Sequence, residues 1–150
     1  MVSAMNKKYS TTFEVKWAEV DPNLHLRHTV YLDYGDQTRI RFFEENNLPF
    51  NKLMRLGIGP ILFGTQTDFK KEVLLSEKVK IDCELVDITS DGRKWTIKHL
   101  VYKEEGSIAA EMVYRGAWFD LKQRKVIAPP QEVHDIMLSI NDYKYEKEEN

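Results

Sequence analysis

One long segment with the periodicity of a helix most constrains how this chain can fold. Residues 29–46 predict a helix whose apolar positions cover more than one narrow stripe. These positions are Val30, Tyr31, Leu32, Tyr34, Ile40, Phe42 and Phe43. A helix of this kind is wrapped by other elements on several sides instead of lying on a surface. Gly35, in its middle, costs about 1 kcal/mol relative to alanine, so it predicts close packing against a neighbouring element.

Segments with alternating apolar and polar residues surround this helix and predict β-strands. Strands are expected at residues 9–17, 65–75, 78–89, 93–104 and 107–121. The alternation changes phase at Val86 and Ile88, which indicates a β-bulge. Asp91-Gly92 and Glu105-Gly106 are typical of the short turns of antiparallel hairpins. The strands after the helix therefore form an antiparallel meander.

Shorter segments complete the predicted architecture. Residues 51–56 are expected to form one or two helical turns, and Gly57, Gly59 and Pro60 a loop. Pro129-Pro130 closes the last strand, and residues 131–140 predict a short terminal helix. The fold class is therefore α+β, with an antiparallel sheet of five to six strands wrapped around one long central helix.

Length and composition exclude several classes of protein. A chain of 150 residues suits a single domain, here residues 1–150 with a frayed, charged tail at about 142–150. The net charge of −2 gives no basic footprint for nucleic acid, and no run of about 18 apolar residues predicts a membrane span. The N-terminus lacks the apolar stretch of a signal peptide, and the single cysteine, Cys83, fits a reducing compartment. A cytoplasmic location is therefore expected.

One of the predicted strands is apolar on both faces. The residues concerned are Trp95, Ile97, Leu100, Val101 and Tyr102. In a domain of this size, burial on both faces indicates an interface between subunits. A homodimer or a homotetramer is therefore expected.

The stretch from Trp17 to Tyr31 gives the strongest indication of chemistry. A strand ends there, a turn contains Asp21, and the long helix follows. A helix N-terminus offers N–H groups without partners and a partial positive charge. A carboxylate near that end can attack a carbonyl polarised by these N–H groups, or activate water against it. These parts suffice for acyl transfer without a metal or a cofactor. The alternative is an ordinary turn, since Asp, Pro and Asn are all turn formers.

The same stretch resembles the 4-hydroxybenzoyl-CoA thioesterase family. The family pattern is an Asp, two residues, Gly-His-Val-Asn-Asn, two residues and a Tyr; this chain has Asp21, residues 24–28 as Leu-His-Leu-Arg-His, and Tyr31. The resemblance spans roughly residues 9–138. It implies the hotdog fold and hydrolysis of an acyl-CoA thioester to the free acid and CoA, with CoA present as part of the substrate and no separate cofactor. Leu24 stands where the family has Gly, which permits backbone conformations that a β-carbon disfavours.

The resemblance also implies roles for individual residues. Asp21 is the nucleophile or the general base, and the sequence does not choose between them. From the helix dipole, and not from the resemblance, the backbone N–H of His28 or Thr29 is expected to donate to the developing oxyanion. The His28 side chain is a further donor candidate, and the favoured alternative is a polar residue that fills the helix entry. His25 is assigned to the substrate site, with a structural hydrogen bond in the turn as the favoured interpretation. The other residues expected to bind substrate are Tyr31, Tyr34 and Phe63, with Thr65 and Thr67 contributed by a second subunit.

Other chemistries and functions have weaker support. Asp21, His25 and His28 do not have a recognised metal-ligand spacing, so no metal is expected. No Gly-Xaa-Ser-Xaa-Gly elbow is present, which disfavours a serine hydrolase. Cys83 is interpreted as a core residue. An acyl-carrier-protein thioesterase, or a non-catalytic acyl-CoA-binding protein of the same fold, remains an alternative.

Overall fold

The computed structural model describes residues 8–146. A 3₁₀ turn at Trp17–Glu19 lies between the first strand and the first helix. The strands are β1 (Ser10–Glu14), β2 (Ile58–Phe69), β3 (Lys78–Asp82), β4 (Glu84–Ile88), β5 (Lys94–Lys103), β6 (Ile108–Asp120) and β7 (Lys125–Val126). The helices are α1 (His28–Glu45), α2 (Phe50–Leu56) and α3 (Gln131–Leu138).

All the strands belong to one antiparallel sheet. Its main order is β1-β3-β5-β6-β2, with β4 paired to β5 and β7 paired to the end of β6. In the described residues the sheet has seven strands instead of the five or six predicted. The predicted strand at 78–89 is divided at Cys83 into β3 and β4, and the two-residue β7 is added. The α+β architecture predicted from the sequence is confirmed.

The central helix α1 packs into the concave side of this sheet. Its buried residues are Val30, Tyr31, Tyr34, Gly35, Thr38, Phe42 and Phe43. An ideal β-carbon on Gly35 would lie 2.5 Å from the hydroxyl oxygen of Tyr114 on β6, so the predicted close packing is confirmed. Wrapping is incomplete, since Ile40 remains 46% exposed.

The turn predictions are largely confirmed, whereas the loop at Gly57, Gly59 and Pro60 is wrong. Gly57 has a φ of +73° and ends α2, and β2 begins at the next residue. Pro60 pairs with Trp118 in the ladder, which is tolerated because β2 is an edge strand. The predicted bulge near Val86 is present as a register shift between Leu85 and Asp87.

Strand β5 is internal to the sheet, between its neighbours β3, β4 and β6. Trp95, Ile97 and Val101 are buried within the chain, and Leu100 and Tyr102 on the opposite face are half-buried. The apolar pattern of this strand is thus explained largely by the core of one subunit. Its interpretation as a subunit interface stays a prediction.

The C-terminal segment is packed as far as the structure describes it. The Tyr145 hydroxyl donates to the Thr89 carbonyl oxygen at 2.8 Å and lies 2.8 Å from His134 Nε2. This differs from the frayed tail predicted at 142–150, of which residues 147–150 lie outside the described range. The assignment of residues 1–150 to a single domain stays a prediction.

A polar cluster is buried beneath the middle of α1. Arg39 Nη1 donates to His99 Nε2 at 2.8 Å, and His99 Nδ1 donates to the Asp82 carbonyl oxygen at 2.6 Å. The Arg39 guanidinium also stacks 4.1 Å from the centre of the Tyr114 ring. Cys83 is completely buried nearby, and burial raises the pKa of its thiol to about 12. This cluster holds His99 as a neutral imidazole.

His99 makes stability depend on pH. Burial and the neighbouring Arg39 charge lower the pKa of His99 from 6.5 to about 3. Below pH 6.5 the unfolded chain binds a proton that the folded chain excludes, so the free energy of unfolding falls with decreasing pH. Between pH 7 and pH 5 we expect wild type to lose about 2 kcal/mol more than His99→Gln, measured by urea denaturation. Equal losses in the two proteins would contradict this assignment.

Candidate active site

The turn before α1 holds Asp21 by a set of short hydrogen bonds. Its Oδ1 accepts from the backbone N–H of Asn23 at 2.9 Å and from that of His25 at 3.0 Å. The Asp21 N–H donates to the His25 carbonyl oxygen at 2.8 Å, and the Leu24 N–H donates to the Asp21 carbonyl oxygen at 2.9 Å. The N–H groups of Asn23 and His25 thus both donate to Oδ1, and neither donates to Oδ2.

Leu24 adopts the backbone conformation that glycine would favour. Its φ is +64°, in the left-handed region that costs a residue with a β-carbon about 1–2 kcal/mol. The side chain is 45% exposed, so space is available for it. The replacement of the family glycine by Leu24 therefore preserves the left-handed turn and adds strain.

The turn is also fastened to the chain that follows β2. The Leu26 N–H donates to the Val73 carbonyl oxygen at 2.8 Å, and the Leu75 N–H donates to the Leu24 carbonyl oxygen at 3.0 Å. Residues 70–77 thus form an irregular segment beside the turn instead of extending the strand that was predicted to reach residue 75. This segment brings Glu72 to within 2.7 Å of the His25 ring, between Oε2 and Nε2.

Helix α1 begins at His28 with two N–H groups directed out of its N-terminus. Arg27, the residue before the helix, makes no side-chain cap and is held by its N–H to the Glu19 carbonyl oxygen at 2.9 Å. The Val30 N–H donates back to the Arg27 carbonyl oxygen at 3.0 Å. Within residues 8–146, no acceptor bonds the N–H of His28 or Thr29. The end of an 18-residue helix therefore presents donors and a partial positive charge.

These features line one open cleft of about 380 Å³. Its lining residues are Asp21, His25, Leu26, His28, Tyr31, Phe69, Lys70, Lys71, Glu72 and Val73. Tyr31 and Phe69 meet edge to face with ring centres 5.1 Å apart and form an apolar wall. Burial raises the pKa of Tyr31 to about 12, so its hydroxyl stays neutral. A carboxylate, helix N–H donors and an apolar wall are therefore adjacent.

The structure groups some of the predicted site residues and separates others. Asp21, His25, His28 and Tyr31 line the cleft, and Thr29 is exposed in the same helical turn as His28.

Tyr34 lies outside the cleft of its own chain. Its hydroxyl donates to Glu19 Oε1 at 2.7 Å, and its ring stacks on Phe13 at 4.3 Å. Burial, together with the Glu19 bond, raises the pKa of its hydroxyl. The substrate-binding role predicted for Tyr34 stays a prediction, and the contacts present are structural.

Phe63, Thr65 and Thr67 also lie away from the cleft of their own chain, on the edge strand β2. Phe63 is the extra residue of a bulge between Leu62 and Gly64 and is 50% exposed. Their predicted roles depend on a second subunit and stay predictions.

Sequence reasoning missed Glu72 as part of the site. Glu72 reaches His25 because an isolated bridge pairs His25 with Leu74, a contact between distant parts of the chain. The available signal was the run Lys70-Lys71-Glu72, in which charged residues interrupt the predicted strand. Lys70 and Lys71 of the same run also line the cleft.

The described residues contain neither a metal-ligand cluster nor a membrane-spanning helix. In that part of the chain no group of three or more His, Cys, Asp or Glu side chains could hold a metal ion. None of the helices between residues 8 and 146 is long and apolar enough to cross a membrane.

The fold is shared with solved structures of low sequence identity. A hypothetical protein from Staphylococcus aureus in complex with CoA is 14% identical, with a TM-score of 0.84 over 97% of this chain and 90% of that chain. A 1,4-dihydroxy-2-naphthoyl-CoA thioesterase from Synechocystis is 12% identical, with a TM-score of 0.80 over 92% and 100%. A gentisyl-coenzyme A thioesterase is 20% identical, with a TM-score of 0.75 over 85% and 98%. No curated protein sequence gives a significant match.

These likenesses and the wrapped central helix define a hotdog fold, as the sequence predicted. The sequence model of the thioesterase-like superfamily matches residues 15–137. The chain belongs to the thioesterase-like superfamily.

The backbone N–H of His28, the first of α1, can be tested separately from the His28 side chain. Proline is tolerated at the first helical position, and Arg27 already has the extended ψ of 140° that a following proline requires. We expect His28→Pro to lower kcat for thioester hydrolysis by about 10²–10³-fold, the effect of removing one oxyanion donor. His28→Ala keeps the N–H and is the matched control. Equal rates in the two variants would contradict a donor role for this N–H.

Proposed function

We propose that this protein hydrolyses acyl-CoA thioesters to the free acid and CoA, with Asp21 as the reacting carboxylate. The observation that carries the proposal is the single cleft that contains both Asp21 and the N-terminus of α1, where two N–H groups lack acceptors among the described residues. The membership of the chain in the thioesterase-like superfamily supports the same activity.

The hydrogen bonds of Asp21 suit this role. Two backbone N–H groups occupy Oδ1 and fix the orientation of the carboxylate, which leaves Oδ2 to react. Oδ2 lies 3.8 Å from His25 Nδ1, and Glu72 holds the other ring nitrogen of His25. His25 therefore acts as a positioning residue between two carboxylates, consistent with the structural role favoured from the sequence.

Two routes are compatible with this geometry. As a general base, Asp21 takes a proton from water, and the resulting hydroxide adds to the thioester carbon; collapse of the tetrahedral intermediate expels CoA thiolate. As a nucleophile, Asp21 Oδ2 adds directly, CoA thiolate leaves, and water then hydrolyses the mixed anhydride. In both routes the N–H groups of His28 and Thr29 stabilise the oxyanion.

The two sides of the cleft suit the two parts of the substrate. Tyr31 and Phe69 offer apolar surface to the acyl group. Lys70 and Lys71 follow β2 on the cleft wall, where their ammonium groups can meet the phosphates of CoA. The S. aureus neighbour was solved in complex with CoA, which supports CoA as the leaving group.

The proposal is tested by incubating the purified protein with acyl-CoA esters of short, medium and long aliphatic chains and with aromatic acyl-CoA esters. Release of free CoA thiol above the uncatalysed rate is expected for at least one class. Hydrolysis of acyl-carrier-protein thioesters alone would favour the carrier-protein alternative. Measurable acyl-CoA binding without hydrolysis of either substrate would favour the non-catalytic binding protein and contradict the proposal.

We further propose that the active form is a homodimer paired through β2. Among residues 8–146 this 12-residue strand pairs only with β6, and its exposed apolar residues include Leu62, Phe63 and Phe69. Phe69 ends β2 and lines the cleft, so pairing along this edge places β2 of one chain beside the cleft of the other. Thr65 and Thr67 would then act on the partner's substrate.

The dimer prediction concerns Phe63. Placing a charge on the paired edge should separate the subunits, because an unpaired buried charge is strongly disfavoured at an interface. We expect Phe63→Lys to sediment as a monomer and to lose most of its hydrolytic activity. Val86→Lys, which introduces the same charge at a 46% exposed position on β4, should remain dimeric. A dimeric Phe63→Lys protein would contradict pairing through this edge.

A further inference from the structure

The face of the sheet that points away from α1 is formed in its middle by strands β5, β6 and β2. Residues directly opposite each other on neighbouring strands share a face, so the pairing gives three rows of side chains on this side. The rows are Leu100, Glu111 and Asp68; then Lys98, Val113 and Gln66; then Thr96, Arg115 and Gly64. We call these three rows the outer face.

Two carboxylates stand side by side at one end of the outer face. Asp68 on β2 is directly opposite Glu111 on β6, which places their β-carbons about 5 Å apart. Like charges at this spacing repel each other. Within residues 8–146 neither carboxylate takes part in an ion pair. The single chain therefore contains an acidic pair that a nearby cation would stabilise.

Arg115 carries the opposite charge at the other end of the same face. It is exposed, and it has no ion-pair partner in the described part of the chain. An ideal β-carbon on Gly64 would lie 2.5 Å from Nη2 of Arg115, so the guanidinium lies across β2. Arg115 is four residues from Glu111 along β6, or about 13 Å, which is too far for contact within one chain.

A second copy of the outer face brings these charges together when one particular twofold axis relates the two chains. The axis lies between the two sheets, perpendicular to the strands and level with Val113. It reverses the strand direction and keeps each strand opposite its own copy. Arg115 of one chain then faces Glu111 and Asp68 of the other, and the two copies of Val113 pack together. An axis parallel to the strands would instead place acidic row against acidic row.

The remaining charge near this axis is already compensated. Lys98 meets its own copy across the axis, but its Nζ lies 3.5 Å from Glu84 Oε2 of the same chain. Leu100, half-buried on the outer face, would be covered by the row that contains Thr96 of the other chain. The face is thus complementary to itself in charge and offers apolar surface beside the charges.

The size of the face decides which species associate. Strands β3, β5, β6 and β2 are neighbours, and four strands about 4.8 Å apart and six residues long cover about 400 Å². A stable interface buries about 800 Å² on each partner, so one chain offers about half of that area. Pairing through β2 joins two sheets edge to edge and doubles the face. This step rests on the dimer proposed above, and it predicts that dimers associate whereas single chains do not.

We infer that the outer face of the sheet is the contact between two dimers in a tetramer of this protein. Arg115 of each chain binds Glu111 and Asp68 of the facing chain, which gives four such contacts in the tetramer. The axis of the β2 pair is normal to the sheet and the axis of this contact lies in its plane, so the assembly closes at four chains. The contact assigns a partner surface to the outward residues of β5, the strand whose sequence predicted an interface.

The test measures association by sedimentation velocity at protein concentrations from about 1 to 200 µM, in about 50 mM and about 500 mM NaCl. We expect wild type to pass from dimer to tetramer with rising concentration, and high salt to weaken this step. Arg115→Glu places acid against acid and should raise the dissociation constant of the tetramer at least tenfold while dimers persist. Lys122→Glu makes the same change of charge at an exposed position in the turn after β6 and should behave like wild type.

A complementation experiment separates direct contact from net charge. The double variant Asp68→Asn with Glu111→Lys places a cation against Arg115 and should also stay dimeric. Mixing it with Arg115→Glu should restore tetramers, because position 111 of one protein then attracts position 115 of the other. Circular dichroism checks the folding of each variant.

Several results would overturn the inference. Wild type that stays dimeric at every concentration would leave the outer face to a different partner, while the β2 dimer would stand. A tetramer that Arg115→Glu does not weaken, or a mixture that forms no tetramers, would place the contact elsewhere. A monomeric wild type would contradict the β2 dimer as well. Every outcome is read from sedimentation and not from turnover, so none depends on thioester hydrolysis.

Discussion

Replacing Asp21 with asparagine is expected to lower kcat for acyl-CoA hydrolysis by about 10²–10⁴-fold, the usual contribution of a positioned base or nucleophile. The amide oxygen of asparagine can still accept from the N–H groups of Asn23 and His25, so the turn should keep its shape. The loss therefore reports chemistry and not unfolding. Steady-state rates of CoA release, with circular dichroism to monitor folding, measure the effect.

A matched control removes a carboxylate charge from helix α1 itself, instead of from the turn that precedes it. Asp33 is exposed on α1 and is absent from the cleft lining. Asp33→Asn should hydrolyse acyl-CoA within about twofold of wild type. The Asp33 carboxylate lies on the surface outside the cleft, and solvent screens its charge from the reacting thioester. If Asp21→Asn also stayed within twofold for every acyl-CoA tried, the assignment of Asp21 would be wrong.

Gly116→Ala is expected to lower the free energy of unfolding by about 3 kcal/mol, a large value for adding one methyl group. Gly116 lies in β6 opposite Trp95 and Leu62. A β-carbon there would collide with the backbone oxygen of Ile61 and would lie 2.6 Å from Cζ2 of the Trp95 ring. Neither neighbour can yield easily, since one is backbone and the other is a buried ring. Urea denaturation measures the loss.

Gly59 offers a control on the neighbouring strand. A β-carbon at Gly59 would meet a single side-chain atom, Leu121 Cδ2, at an ordinary distance of 3.5 Å. Gly59→Ala should therefore change stability by less than about 0.5 kcal/mol. A Gly116→Ala protein as stable as Gly59→Ala would show that the sheet relaxes around the methyl group.

Local chemistry made much of the fold predictable. The breadth of the apolar pattern on α1 predicted a wrapped helix, and Gly35 packs against Tyr114 as expected. Asp91-Gly92 marks the β4–β5 hairpin, with Gly92 at a φ of +79°. The start of β2 was missed because Gly59 and Pro60 are turn formers in isolation, and their place on a sheet edge is a tertiary property.

The candidate site was predictable in its centre and not in its surroundings. Asp21 and the start of α1 are close in sequence, so their proximity follows from a turn and a helix end. Glu72 depends on the pairing of His25 with Leu74, a long-range contact that no local pattern encodes. Tyr34 occupies an apolar helix position like Tyr31, and the sequence could not show that its hydroxyl is bound to Glu19.

The burial of Cys83 has a practical consequence for every experiment that detects released CoA as a thiol. With no exposed surface and a pKa raised to about 12, this cysteine stays unreactive toward thiol reagents while the protein is folded. The assay signal then comes from the product and carries no background from the enzyme. The same reagent labels Cys83 once the core opens, so the rate of labelling without substrate measures the rate of unfolding. One thiol reagent can thus follow turnover on a scale of seconds and the lifetime of the native core over hours.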